Sequence, residues 1–418
     1  MKQISHSDHN NKRAAFALIL LTIFMIFSCS SSSGDSDDDT QSADSDGNTV
    51  PYTGQTDTAP STTWQIYTDS LSITSPGGHD IAFHNNTFYL AMGDRDNGQK
   101  ATVMTFDGTA WETLGGAGFS DNATQSVTIT VDTVTGLPYV AFQENCSECL
   151  INFHGSVMGY NGTGWYYLGD PGFTISQTYF LSLTVRDSHE YLVVTPNSAY
   201  FGHPSLQLYD SGSKEWAAMG ETYLDDFDLA YPDAVDLALA DNTLYLAFRT
   251  TDKRINVISQ TLAPNAIEGV GDTGFSTPSQ SGADLVASGN SLYVAYSEDV
   301  TADVVVMAHT GASWQPLGDT GKTALYRPSL LMYKDTPYVT FIDLDRQLHV
   351  LRYENDAWSS IDPDGLTTST ALTLMPTPEI FANNDILYLA YLIEDETGGN
   401  TTYGNMKVII KAIDLTDL

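Results

Sequence analysis

Carboxylates recur wherever an apolar run of this chain ends: Asp94 and Asp96, Glu144 and Glu148, Asp252, Glu298 and Asp299, Asp343 and Asp345, and Glu394 to Glu396. Carboxylates gathered with loop carbonyls suit a hard cation. Asp94, Asp96, Glu298 and Asp343 are therefore the candidate ligands of a calcium ion. Asp94-Arg95-Asp96-Asn97-Gly98 comes nearest to a calcium loop, although its glycine falls one place early. The competing reading is solvated loops of a very acidic protein, which requires no cofactor.

A second concentration is aromatic. Residues 195–204 hold Tyr200, Phe201 and His203; residues 221–233 hold Tyr223, Asp225, Asp226, Phe227 and Tyr231; Tyr179 and Phe180 belong to an earlier loop. Rings with polar tips cover the C–H faces of a sugar or peptide, while nearby oxygens accept its hydroxyl protons. Tyr179, Tyr200, His203, Tyr223, Asp226, Tyr231 and Arg327 are the candidate ligand-binding residues. Packing of long loops on themselves would use the same residues without a ligand.

Charge narrows the partners. There are 52 acidic and 17 basic residues, a net charge of −35. Such a field repels phosphate backbones and anionic headgroups, which excludes nucleic acid as a partner and leaves cations, neutral glycans, peptides or envelope proteins.

The elements that must position these groups are set by two interleaved registers. All six tryptophans, Trp64, Trp111, Trp165, Trp216, Trp314 and Trp358, with Ile267 in the remaining slot, are spaced by 47, 54, 51, 51, 47 and 44 residues. Seven tyrosines keep a second beat at Tyr89, Tyr139, Tyr191, Tyr245, Tyr293, Tyr338 and Tyr388. A period near 50 residues marks a repeat architecture. Within each copy, short runs rich in Val, Ile, Leu, Tyr and Phe are cut by Gly, Asn and Asp and read as four strands. In the first copy these are His79 to Phe83, Thr87 to Met92, Thr102 to Phe106 and Trp111 to Leu114. The last strand runs into a glycine turn, as in Leu114-Gly115…Gly118-Phe119, Leu168-Gly169…Gly172-Phe173, Val270-Gly271…Gly274-Phe275 and Leu317-Gly318…Gly321. The sixth copy keeps a fragment, Asp362 to Gly365, and the third departs at Gly220.

Radially repeated four-stranded units make a β-propeller. The expected fold is all-β, a seven-bladed propeller over residues 61–418. The tryptophan register starts first and the tyrosine register ends last, so the final copy lacks its fourth strand. Trp64 to Tyr67 is expected to supply it and close the ring without an open edge. The tryptophans are expected to fill the wedges between blades. Long variable loops fall on the face where strand two joins strand three and where one blade joins the next, and that face is where a site is expected.

The Trp-x-x-Leu-Gly…Gly-Phe and Leu-Tyr-Leu-Ala-Tyr patterns resemble repeat propellers of bacterial envelope and secreted proteins. The resemblance implies a fold and no particular activity. Polysaccharide lyases exist on such propellers and tend to use His, Tyr and Arg; here His154, His203, Tyr200, Arg95 and Arg327 supply the types, but no motif links them. Glycosidase chemistry needs two carboxylates at a set separation, and so acidic a chain always offers a pair.

Met1 to Phe27 reads as an export signal, with Lys12-Arg13 before the uncharged run Ala14 to Phe27, too short to span a bilayer comfortably. Its end, Ile26-Phe27-Ser28-Cys29, resembles the lipobox of bacterial lipoproteins. That resemblance implies cleavage of residues 1–28 and acylation of Cys29; Ser30 in place of Asp goes with the outer membrane. Residues 29–60 then form a tether of Ser, Asp, Gly and Thr that cannot bury enough surface to fold. Cys146 and Cys149 remain, and an exported context favours a disulfide between them. A redox or metal-binding pair is the alternative, but no helix is offered to activate a thiol there. The resulting expectation is a lipid-anchored protein of the bacterial cell surface whose loop-rich face binds a glycan, peptide or partner protein. A carbohydrate-active enzyme, or a structural part of an envelope complex, are the alternatives.

Overall fold

The computed structural model describes residues 63–74, 78–145, 153–174, 178–186, 189–196, 205–218, 235–240, 243–262, 265–361, 366, 377–394 and 405–417. These form seven four-stranded antiparallel sheets. Sheet one is His79–His84, Thr87–Asp94, Lys100–Phe106 and Trp111–Thr113, and sheet two is Ala123–Val131, Pro138–Asn145, His154–Tyr160 and Trp165–Tyr167. Sheet three holds Thr178–Arg186, His189–Pro196, Ser205–Asp210 and Glu215–Ala218; sheet four holds Val235–Ala240, Thr243–Arg249, Ile255–Leu262 and Asn265–Gly269. Sheet five is Asp284–Ser288, Ser291–Ser297, Val304–His309 and Trp314–Pro316, and sheet six is Ser329–Tyr333, Thr336–Ile342, Leu348–Glu354 and Ala357–Ser360. The architecture is an all-β propeller of four-stranded blades. Second strands such as Leu244-Tyr245-Leu246-Ala247-Phe248 read apolar almost continuously because a neighbouring sheet covers each face.

Sheet seven joins the two ends of the chain. Its order is Gln65–Thr74, Asn405–Asp414, Ile386–Glu394 and Glu379–Asn383. Gln65 pairs with Ala412 and Thr74 with Asn405. The closing strand is longer than the expected Trp64 to Tyr67. Two register shifts, between Ile66 and Thr68 and between Thr68 and Leu71, keep it paired and leave Leu71 and Ile73 buried. Against sheet one this end packs as an aromatic cluster: the Tyr67 ring lies 5.3 Å from Tyr388 and 5.5 Å from Phe106, and Phe381 lies 5.8 Å from Phe83.

The tryptophans are joints between successive sheets. The indole N–H of Trp165 donates to the Leu114 carbonyl at 2.8 Å, Trp216 to Leu168 at 2.7 Å and Trp314 to Val270 at 2.8 Å; Trp358 donates to Leu317 in the same way. Each ring lies over the glycine of the preceding sheet's turn. A β-carbon on Gly115, Gly169 or Gly271 would come within 2.9 Å of a tryptophan or a neighbouring ring. Those glycines have φ of +70°, +75° and +73°, which side chains resist in any case. The turn's phenylalanine completes the seat. Phe119 stacks on Trp165 at 4.3 Å, Phe173 on Trp216 at 4.8 Å and Phe275 on Trp314 at 4.2 Å. Removing such a ring should cost about 3–5 kcal/mol.

Ring closure gives a direct test. Deletion through Ser70 should lower the melting temperature of the whole domain sharply, whereas deletion through Pro60 should leave it within about 2 °C. Equal melting of the two truncations, read by circular dichroism, would show that Gln65–Thr74 does not hold sheet seven.

Candidate functional site

Among the described residues, the carboxylates at the ends of second strands serve the turns. Asp94 accepts the Thr102 hydroxyl at 3.0 Å, the Asn97 amide at 2.8 Å and the Asp96 N–H at 3.0 Å. Thr102 in turn accepts the N–H of Gly118, in the seat of the next tryptophan, at 2.8 Å. Sheet two repeats the relay. Glu144 accepts Ser156 at 2.7 Å, and Ser156 accepts the Gly172 N–H at 2.7 Å. The phenol of Tyr167 also donates to Glu144 at 2.8 Å, and burial pushes its pKa upward. Sheet six places His349 in the same position, its Nε2 2.7 Å from Asp343. Glu298 accepts Thr277 at 2.7 Å and Thr301 at 2.6 Å.

The four candidate calcium ligands therefore do not converge. Asp94 and Asp96 share one turn of sheet one, Glu298 follows the second strand of sheet five and Asp343 the second strand of sheet six. Among the described residues, no three His, Cys, Asp or Glu side chains are grouped to hold a metal ion. Each carboxylate turns onto its own sheet's donors because those donors, unlike a cation, are built into the repeat.

Of the candidate ligand-binding residues, Arg327 is the one whose side-chain partners are described. It precedes the innermost strand of sheet six, 3.9 Å from Asp284, and donates to the Ala283 carbonyl at 3.4 Å. It belongs to a belt that sequence reasoning missed. The pairing registers put Asp80, Thr128, Ser182, Asp236, Asp284, Ser329 and Glu379 at one equivalent position of the seven innermost strands, opposite Ala91, Ala141, Val193, Ala247, Ala295, Thr340 and Ala390. Several of these side chains reach across to the next sheet. Asp80 accepts Ile129 N–H at 2.9 Å and the Thr128 hydroxyl at 2.8 Å; Asp236 accepts Leu285 N–H at 2.8 Å; Asp284 accepts Leu330 N–H at 2.6 Å; Glu379 accepts the Ser329 hydroxyl at 3.1 Å. The signal was present nine residues before the tyrosine in six copies and eleven before it in sheet two, whose hairpin is longer. It was masked by variation among Asp, Glu, Ser and Thr.

Four carboxyls in this belt face one guanidinium. Burial, and then the charge of Asp284, push Asp236 up to about 7. Glu379 is raised well above the ordinary range by burial and by Asp284 and Asp80, and burial raises Asp80. Burial works against the charge on Arg327, but Asp284, Asp236, Glu379 and Asp80 outweigh it and hold its pKa above the usual value. His79, beside Asp80 in the chain, is pushed down to about 4 by burial and brings no charge at neutral pH.

Tyr179 lies within the innermost strand Thr178–Arg186 rather than in a loop. Tyr200, His203, Tyr223, Asp226 and Tyr231, and also Cys29, Cys146 and Cys149, lie outside the described residues. His154 places its Nδ1 against the Thr174 carbonyl, within its own sheet and turn.

No protein-family model matches the chain, and no curated protein sequence matches it. Solved structures do. A fungal lectin from Aleuria aurantia, described as a six-bladed propeller with a novel fucose recognition mode, aligns over 70% of this chain and 96% of its own at 13% identity and a TM-score of 0.44. An arginine-to-alanine mutant of AofleA from Arthrobotrys oligospora covers 73% and 90% at 9% identity and 0.50, and the polysaccharide lyase Uly1 covers 82% and 91% at 10% and 0.49. The likeness is one of fold. The lectin is described with six blades, where this chain forms seven four-stranded sheets.

The belt predicts an unusual pH dependence. Unfolded carboxyls titrate near ~4, whereas Asp80, Asp236 and Glu379 titrate higher in the folded ring. The folded state thus binds more protons, and their contribution is full below about pH 4 and lost as pH rises towards 7. Asp107, Asp210 and Asp252, held low by turn donors, oppose this only at more acidic pH. Thermal melting should therefore be higher at pH 5 than at pH 8, and Glu379→Gln should flatten the difference. Arg327→Met should destabilise by roughly 3–5 kcal/mol, more at pH 8 than at pH 5. An equal loss at both pH values would remove Arg327 from the charge balance.

Proposed function

We propose that the protein is a lipid-anchored, cell-surface propeller of seven blades that binds a glycan through its carboxylate-rich, loop-bearing face. The observation that carries this reading is a division of labour within the repeat. Tryptophans, glycine turns and the Asp94 and Glu144 relays are occupied in joints, so recognition falls to residues that differ from copy to copy. On that face Val300 is 90% exposed beside Asp299, and Leu344 is 53% exposed between Asp343 and Asp345. An apolar tip flanked by carboxylates suits the C–H face and hydroxyls of a sugar. Solved lectin propellers of similar fold support glycan as the ligand class, and the Uly1 lyase keeps catalysis as the second outcome. Lys12-Arg13, the run to Phe27 and Cys29 support export and acylation.

The purified protein offered neutral plant, marine and bacterial polysaccharides should bind at least one without consuming it, and Val300→Asp with Leu344→Asp should weaken binding about tenfold, about 1.4 kcal/mol. Product formation lost in His203→Ala would assign the face to an enzyme, and inertness to every glycan would assign it to a protein partner. Cys29→Ser should move the protein from the membrane to the soluble fraction. Unchanged fractionation would sink the lipid anchor.

A further inference from the structure

The closing strand Gln65–Thr74 spans sheet seven from one end to the other. Gln65 lies in one row with Ala412 and Tyr388, close to the turn between strands one and two, where the Leu415 N–H donates to the Asp385 carbonyl at 2.7 Å. Thr74 pairs with Asn405, one row beyond Met406 and Glu394, at the end where strand two leaves the sheet. Val300 and Leu344 follow the corresponding second strands of sheets five and six. The chain thus enters sheet seven at its hairpin end and leaves it at the end that matches the proposed binding face. It then passes into the innermost strand of sheet one at that same end, where the Gly78 carbonyl accepts the Gly93 N–H at 2.9 Å and the Thr74 hydroxyl donates to Asp96 at 3.0 Å.

We propose that this strand is a tension clasp: a pull between the membrane anchor on its amino-terminal side and a glycan held at the second-strand ends runs lengthwise along Gln65–Thr74 and keeps the ring closed. This rests on the anchor and the binding face put forward above.

A lengthwise pull must slide the strand past Asn405–Asp414 and strains every paired row at once, whereas a sideways pull at Gln65 breaks the rows one after another. Sliding is blocked locally. A slip of one residue would turn the buried Leu71 and Ile73 outward. The two register shifts on either side of Thr68 fit one alignment of the strands. Tyr67 is enclosed by Tyr388 and Phe106, and Asp69 is paired with Lys407 at 3.0 Å. Beyond these, the far end of the strand continues covalently into sheet one, so sliding must also draw His79–His84 out of its sheet. Peeling from Gln65 meets less resistance at its start. Ile66 is 48% exposed, and the buried indole N–H of Trp64 has no acceptor, where that of Trp165 is bonded to Leu114.

Two pulling directions on one molecule test the clasp. In the chain that starts at Cys29, made without acylation and with Cys146 and Cys149 replaced by serine, Cys29 takes one handle for single-molecule force spectroscopy. Glu394→Cys places the second handle at the far end of the strand and loads it lengthwise; Thr416→Cys places it near Gln65 and peels the strand away. Because forced unfolding follows the unfolding rate, the peel should occur at a force at least about twofold lower. It should lengthen the molecule by roughly 60 Å, twice the extended length of a ten-residue strand. The lengthwise pull should show no such step before the sheets themselves unravel. Val300→Cys, at an exposed position, repeats the lengthwise pull and guards against a fold disturbed at Glu394. Equal rupture forces in the two directions, or the peeling step appearing in the lengthwise pull, would overturn the clasp. These forces are measured without a membrane, while fractionation of Cys29→Ser tests the anchor alone, so the two fail separately.

Discussion

The structure depends on one recurring contact: an indole seated on the turn that ends the preceding sheet. A four-stranded sheet of this length has two apolar faces and cannot bury either by itself. The contact solves that problem directionally, because the N–H bond to the Leu114, Leu168, Val270 or Leu317 carbonyl fixes how far and at what angle the next sheet lies. Two left-handed glycines, φ +70° and +62° at Gly115 and Gly118, make room for the ring and bring the turn back across its own sheet. Everything nearer the axis then follows from spacing.

Polar groups that look functional are drawn into the same task. A carboxylate at the end of strand two holds a hydroxyl on strand three, and that hydroxyl holds a glycine N–H of the tryptophan seat, as in Asp94, Thr102 and Gly118. Asn256 holds the Gly274 N–H in sheet four without an acid behind it. The substitution of His349 for the hydroxyl in sheet six is best understood in this series, its imidazole partnered by Asp343 as Thr102 is by Asp94. A His–Asp pair taken alone suggests acid–base chemistry; among its equivalents it is a turn brace.

Much of the fold was legible in the chain because packing repeats. The tryptophan and tyrosine registers gave the four strands of each sheet, and their offset gave the closing strand from Gln65. Its extension to Thr74 was not legible, since bulges that rescue the register leave no periodic trace. The candidate site was less legible. Acidic loop composition suggests a cation, but whether carboxylates converge depends on donors distant in sequence, as Tyr167 is 23 residues from the Glu144 it donates to. The axial belt escaped notice for the opposite reason: its spacing is regular, while its chemistry alternates between carboxylate and hydroxyl.

That alternation has a consequence for how the ring tolerates charge. A carboxylate at every innermost strand would gather seven anions about one axis, and mutual repulsion at close range would exceed what a hydrogen bond to the next sheet returns. Thr128, Ser182 and Ser329 interrupt the series, and Arg327 lies beside Asp284, where the Asp236 and Asp284 charges repel each other. The belt thus trades joint strength at some seams for a supportable charge at the centre.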